Sequence, residues 1–310
     1  MGKVYDALNR AQSQDEALDL FDDVVSEDDN AEGELEEEVR EGTQNQGLER
    51  RPPTTGKFNF MRYSLGTTTV VTKEGPRQES ASNALAPRSV SKPSRELTII
   101  PERIDPHLVA FHNVNRPASQ EYNKLALSLI SKAAERGFKR VLVASAQEGE
   151  GRTCVALNLA CALTRARQRV LVVDCDLSKP SVMQRLGLHA EIGMYEAFDR
   201  GMPPASAAVS IRPHGFNVLP NTRPLENPAE LLAMPGFWKM LQAFDAEHDF
   251  ILFDSPALSS GVDSSLLIRY TDTTLLVVRE GHTSSAQMAR ALTPLAQDDI
   301  LGVVINRVSK

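Results

Sequence analysis

The chain has 310 residues, 41% hydrophobic and 24% charged, enough for one or two domains with a substantial core. Its formal charge of −7 is unevenly placed: residues 15–41 hold fourteen acidic side chains and one basic one, Arg40, while 31 basic and 26 acidic residues follow from position 42. The acidity belongs to a tail and gives no ground for nucleic-acid binding. Cys154, Cys161 and Cys175 lack a CxxC spacing and read as reduced thiols of a cytosolic chain, not as a disulfide framework or a zinc site. No apolar stretch reaches the ~18 residues of a membrane span.

The opening "MGKVYDALNRAQSQDEAL" is charged and amphipathic, unlike a signal peptide, and position 6 lacks the Ser/Thr of a myristoylation signal. Residues 1–25 are expected to form at most a short helix, with Val4, Leu8, Ala11 and Leu18 on one face. Residues 26–105 read as a disordered acidic, Pro- and Ser-rich linker, because stretches such as "EDDNAEGELEEEVREGTQNQG" cannot offset chain entropy with apolar burial. The patch "FNFMRYSLGTTTVV" stands apart as a candidate short binding motif.

Residues 106–310 change character. Six short apolar runs recur: "RVLVAS" (140–145), "RVLVVD" (169–174), "FNVLP" (216–220), "FILFD" (250–254), "TTLLVV" (273–278) and "LGVVIN" (301–306). Most are apolar throughout, as in strands buried on both faces. Helical periods such as "TCVALNLACALTRA" lie between them. The pattern predicts an α/β fold, a mainly parallel sheet with helices on both faces. Ligands of such folds bind beyond the carboxyl ends of strands.

The informative residues stand there. "SAQEGEGRT" follows the first run; Gly149 and Gly151 free the backbone N–H groups to turn toward phosphate oxygens, with the N-terminus of the next helix aimed at the same anion. Thr153 is placed to ligate Mg²⁺. Asp174 and Asp176 follow the second run, and Asp254 ends the fourth.

With these motifs, residues 106–310 resemble the bacterial tyrosine kinases of capsule and exopolysaccharide synthesis, within the ParA/MinD-like P-loop ATPases. "SAQEGEGRTCVALNLACAL" resembles the Walker A loop and helix, "VLVVDCDLSKP" the second acidic motif, and "FILFDSPAL" the Walker B strand. "ENPAELL", "VVREGHTS" and "LGVVINRV" match in order, and "MGKVYDALNRA" resembles the start of members without a fused membrane domain. The resemblance implies ATP and Mg²⁺ as ligands. Glu148, Gly149, Glu150, Gly151, Arg152, Thr153 and Cys154 would form the nucleotide loop. Thr153 would hold Mg²⁺ directly and Asp254 through water. Asp174 and Asp176 would orient the metal and activate an acceptor hydroxyl, with Arg152 as the catalytic cation. Asn306 either contacts the base or satisfies a turn at the strand end. The implied partner is a membrane-embedded chain-length regulator, or co-polymerase, with the chain itself cytoplasmic and peripheral at the inner membrane through that partner.

Several departures bear on mechanism. Arg152 replaces the phosphate-gripping Lys; it keeps the charge but is longer and planar. Gln147 stands where ParA/MinD proteins carry a second Lys, which argues against a positioning ATPase. The family's "EAYRxLR" helix appears as "QEYNKLA", with Gln120, Asn123 and Ala126 at its charged positions; a one-residue shift offers only Glu121 and Lys124, so a ring-shaped homo-oligomer is not expected. Ser178 replaces an Arg, with Lys179 adjacent, and no tyrosine cluster follows Asn306. The expectation is an ATP-binding protein of polysaccharide assembly with reduced or absent autokinase activity. An active kinase or ATPase on another acceptor is the first alternative, and a ParA/MinD-like positioning ATPase the second.

Overall fold

The structure, a computed structural model, describes residues 95–113, 115–260, 262–293, 295 and 299–307, and the backbone of 59–64 and 68–74. The helix expected within 1–25 and the acidic run lie outside the described residues.

In chain order the strands are β1 (Asn59–Ser64), β2 (Thr68–Glu74), β3 (Arg95–Thr98), β4 (Arg140–Ser145), β5 (Val170–Asp174), β6 (Val209–Arg212), β7 (Asn217–Leu219), β8 (Phe250–Asp254), β9 (Thr273–Arg279) and β10 (Ile300–Asn306). The helices are α1 (Val109–His112), α2 (Pro117–Arg136), α3 (Arg152–Arg165), α4 (Val182–Arg185), α5 (Met194–Asp199), α6 (Pro228–Ala233), α7 (Pro235–Gln242), α8 (Val262–Ile268) and α9 (Ser285–Leu292). One sheet runs β1-β2-β10-β9-β4-β8-β5-β7-β6-β3. The central pairs from β10 to β7 are parallel, as is β3 with β6; β7 with β6, β2 with β10 and β1 with β2 are antiparallel.

All six apolar runs become strands, and alternation along them feeds two cores. Val141, Val143, Val170, Val172 and Leu252 join the core under α2 and α3, with Leu125, Leu129, Val155 and Leu159. Leu142, Ala144, Leu171, Val173, Ile251 and Phe253 join the opposite core, with Phe237, Trp238 and Leu241 of α7. This is the two-faced covering that strands apolar on both sides require. Helix α2 begins with Pro117 at its first position and ends at Gly137, whose φ of 74° is the left-handed cap conformation.

The linker boundary needs correction. Residues 95–105 belong to the domain: β3 pairs with β6, and Ile99 and Ile104 are buried. A four-residue edge strand is too short to stand out by periodicity and acquires its partner only through the fold. The patch over 58–71 supplies β1 and part of β2, and β2 extends the sheet along β10. No helix among the described residues is long and apolar enough to cross a membrane.

Candidate nucleotide site

The carboxyl ends of β4, β5 and β8 lie side by side, and the loop 146–151 leaves β4 to start α3. Gly149 and Gly151 have φ of 81° and 96°, which other residues rarely adopt. At Gly151 space is closed too: a Cβ would sit 2.2 Å from Asn306 Nδ2. Helix α3 has no side-chain N-cap, and its first bond runs from Val155 N to Gly151 O at 3.0 Å. The amides of Arg152, Thr153 and Cys154 therefore have no acceptor within the helix. Over a 14-residue helix they form a partial positive end suited to an anion.

Arg152 is turned into the loop. Its Nε donates to Ser255 O at 2.8 Å, its Nη1 to Gln147 O at 2.9 Å and to Ser145 Oγ, and its Nη2 lies 3.7 Å from Asp176 Oδ2. The side chain is buried. Ser145 Oγ in turn donates to Gln147 O at 2.7 Å, so one carbonyl collects two donors and closes the loop.

The other loop residues expected at the site also make contacts within the protein. Glu150 is fully buried: Oε2 accepts from Gln147 N at 2.8 Å, and Oε1 accepts from Arg279 N at 3.2 Å and from the Thr283 hydroxyl. Its carboxylate braces the loop against the segment after β9, so the acidic side chain does not confront a phosphate. Glu148 is exposed and pairs with Lys179 Nζ at 2.8 Å; the hydrogen bonds and charge of Lys179 hold its carboxyl below the usual range. Asn306 Nδ2 donates to Glu150 O at 2.8 Å, and its Oδ1 accepts from Arg307 N at 3.0 Å. These two bonds tie the end of β10 to the loop at Glu150. Cys154 packs its thiol against the core beneath α3, and burial pushes that thiol up to about 11. Thr153 Oγ1 lies 3.2 Å from Ser181 Oγ.

The carboxylates differ sharply among themselves. Asp174 and Asp254 are register partners on neighbouring strands, both fully buried. Asp174 Oδ2 accepts from Ser181 N at 3.1 Å and Val182 N at 3.0 Å, the start of α4. Asp174 Oδ1 and both Asp254 oxygens have no hydrogen-bond partner. Burial raises both pKa values; the Asp254 charge raises Asp174 further, while Arg152 and the nearby Thr153 hydroxyl pull Asp254 partly back without closing a hydrogen bond to it. Asp176, nearer solvent, is also raised by burial and drawn down by Arg152. Three orphaned carboxylate oxygens beside a Thr hydroxyl and a helix N-terminus are hard donors suited to Mg²⁺. Among the described residues no cluster of three His, Cys, Asp or Glu could bind a metal alone. A cation here would complete its shell with phosphate oxygens and water, the usual manner of Mg²⁺.

Sequence reasoning missed Ser145, Ser255, Thr283 and Ser181, which hold the loop and acidic residues in place. Ser145, Ser255 and Thr283 stand within "SAQEGEGRT", "DSP" and "VVREGHTS", but nothing local singled them out. Beside the loop, Gln147, Glu148, Ser259, Ser260, His282 and Gln287 line a cavity of about 600 Å³.

Similarity to known proteins agrees with this geometry. The chain is 27% identical to the tyrosine-protein kinase YwqD of Bacillus subtilis over 206 residues, covering 66% of this chain and 87% of that relative. It is 25% identical to the tyrosine-protein kinase wzc of Salmonella typhi, covering 65% of this chain but 28% of that much longer relative. The kinase domain of the Escherichia coli tyrosine kinase ETK superposes with a TM-score of 0.61 at 24% identity, over 66% of this chain and 81% of that domain, a likeness of fold. Residues 141–310 match the CobQ/CobB/MinD/ParA nucleotide binding domain. With that match over most of its described length, the chain belongs to the CobQ/CobB/MinD/ParA family of nucleotide-binding domains and resembles its bacterial tyrosine kinases.

Proposed function

We propose that the chain binds ATP with Mg²⁺ at this site and regulates capsule or exopolysaccharide synthesis beside a membrane-embedded co-polymerase, with phosphoryl transfer reduced or absent. The observation that carries the reading is the buried guanidinium of Arg152, committed to Ser145, Gln147, Ser255 and Asp176. The uncapped start of α3 supplies amides for phosphate oxygens whatever residue 152 is. Thr153, Asp174 and Asp254 would hold Mg²⁺, which when bound neutralises phosphate charge and polarises the phosphoryl group. Arg152 then acts as a clasp on the loop, and swinging to a γ-phosphate would break its contacts to Ser255 and Gln147. A displacement of ~1 Å at such a site lowers rate on the order of 100-fold.

The three tyrosines whose side chains are described support the same reading. Tyr122 is buried, Tyr270 stacks on Trp238 with ring centroids 3.6 Å apart, and Tyr195 lies beneath the Arg223 guanidinium. Each is built into the fold and poorly placed as an acceptor. In α2, Glu121 and Lys124 pair with each other at 2.6 Å, consistent with a chain that does not build a ring through that helix.

Calorimetry with ATP and ADP, with and without Mg²⁺, tests binding; no heat at millimolar nucleotide overturns the reading. Single-turnover hydrolysis at saturating Mg-ATP compares native protein with Arg152→Lys. Faster turnover by the Lys variant is expected, because a compact ammonium can follow the γ-phosphate. Faster turnover by the native protein would favour an active ATPase or kinase with Arg152 as a working substitute.

A further inference from the structure

We infer that Asp105 and Arg185 are a positioning pair which, through the single turn of α4, aims the orphaned oxygen of Asp174 into the cation site. This inference rests on the Mg²⁺-nucleotide reading above. Asp105 lies upstream of the matched family region, in the segment that follows β3.

Helix α4 has four residues, too few to persist alone. It is held at both ends. At its start, the amides of Ser181 and Val182 donate to Asp174 Oδ2 at 3.1 and 3.0 Å. At its end, Arg185 O accepts from Asp105 N at 2.9 Å while the Arg185 guanidinium closes on Asp105 Oδ2. Asp105 Oδ1 is occupied by His107 N and Nδ1, both at 2.8 Å. Burial works to raise Asp105, but His107 and Arg185 together outweigh it and lower it to about 2.

This segment is anchored independently. Ile99, Ile104 and Leu108 are buried, and the Asn158 side chain of α3 donates to His107 O at 3.0 Å and accepts from Ala110 N at 2.8 Å. At Gly187, just past α4, an added Cβ would lie 2.5 Å from Arg103 O, so the segment and the turn are in direct contact. The path runs from segment to Asp105, to Arg185, through one helical turn, to Asp174. Only Asp174 Oδ2 is tied; Oδ1 is the oxygen left for a cation. Loss of the clamp at Arg185 frays the turn, removes both donors from Oδ2 and lets the carboxylate rotate.

The test is ADP binding to full-length protein by calorimetry, in Mg²⁺ and in EDTA, with melting recorded alongside. In Asp105→Asn and Arg185→Gln the Mg²⁺-dependent gain in affinity should fall about 10-fold, the range for outer partners of metal ligands. Affinity in EDTA should stay within about twofold. The exchange Asp105→Arg with Arg185→Asp should recover part of the gain. Arg185→Lys, the mildest variant, keeps the main-chain bond and should lose about threefold, which preserves the test if the others fail to fold. A full Mg²⁺ gain in Arg185→Lys and Arg185→Gln, or equal losses with and without Mg²⁺, overturns the positioning pair alone. A native protein that binds ADP with no Mg²⁺ gain overturns the cation site itself, and the pair with it.

Discussion

The two ends of the central strands treat charge in opposite ways. At the amino ends, Arg169 donates to Asp249 through Nη2 at 2.6 Å, Nε at 3.1 Å and its backbone N at 3.0 Å. Arg140 forks onto Asp245, and Asp272 accepts from the amides of Lys139 and Arg140 at 2.8 Å each. Asp245, Asp249 and Asp272 each have a partner and some access to water. At the carboxyl ends, Asp174 and Asp254 are fully buried with three oxygens unpartnered. One end is arranged for stability, while the other leaves buried charge unpaired, the pattern expected of the proposed ligand site.

The pH responses should be opposite as well. Burial works to raise Asp249, but the Arg169 hydrogen bonds outweigh it and leave its pKa lowered. Its contribution is present above the unfolded carboxylate value, ~3.9, and is lost as pH falls through the lower native value. Burial raises Asp174 and Asp254, so their native forms bind protons more tightly than the unfolded chain. Stability from that end is fullest below ~3.9 and declines as pH rises toward the raised native values.

The sharpest way to break this comparison is to remove a donor from the orphaned end. Asp254→Ala or Thr153→Ala should weaken Mg²⁺-dependent nucleotide binding by ~100-fold or more, beyond the 10–100-fold typical of outer partners. Calorimetry that finds both within threefold of native would place the cation elsewhere. Next in size, Asp254→Asn should raise the melting temperature of the ligand-free protein by ~5 °C, since it removes an uncompensated buried charge. The gain should grow between pH 5 and pH 8 in melting curves, following the sign above; a loss at every pH would mean the charge is compensated.

At the paired end the mutation should act the other way. Asp249→Ala is expected to lower the melting temperature by ~2–4 °C, about 1 kcal/mol for a pair partly open to solvent, with nucleotide affinity unchanged. A change in affinity would show that the two ends are not independent. The smallest effect is expected at the rim of the site. Lys179→Ala removes an exposed partner of Glu148 and should leave the melting curve in place, changing nucleotide affinity by about twofold. A large loss would make Lys179 a phosphate contact in its own right.

The amino-acid sequence by itself determined the class of fold and pointed to the candidate site. Six apolar runs predicted the central strands because residues buried on both faces must be apolar throughout, a local and readable demand. Gly149, Gly151, Thr153, Asp174 and Asp254 were legible because each follows one of those runs, where open α/β sheets bind ligands. Only the tertiary structure decided which distant groups the loop's side chains close on. Arg152 closes on Ser255 O across 103 residues, Glu150 on Thr283 across 133, and Asn306 on Glu150 O across 156. Likewise β3 is four residues long and exists as a strand through β6, and α4 is one turn held between Asp174 and Asp105. Such features depend on partners that chain order separates, so no local pattern of hydrophobicity or spacing encodes them.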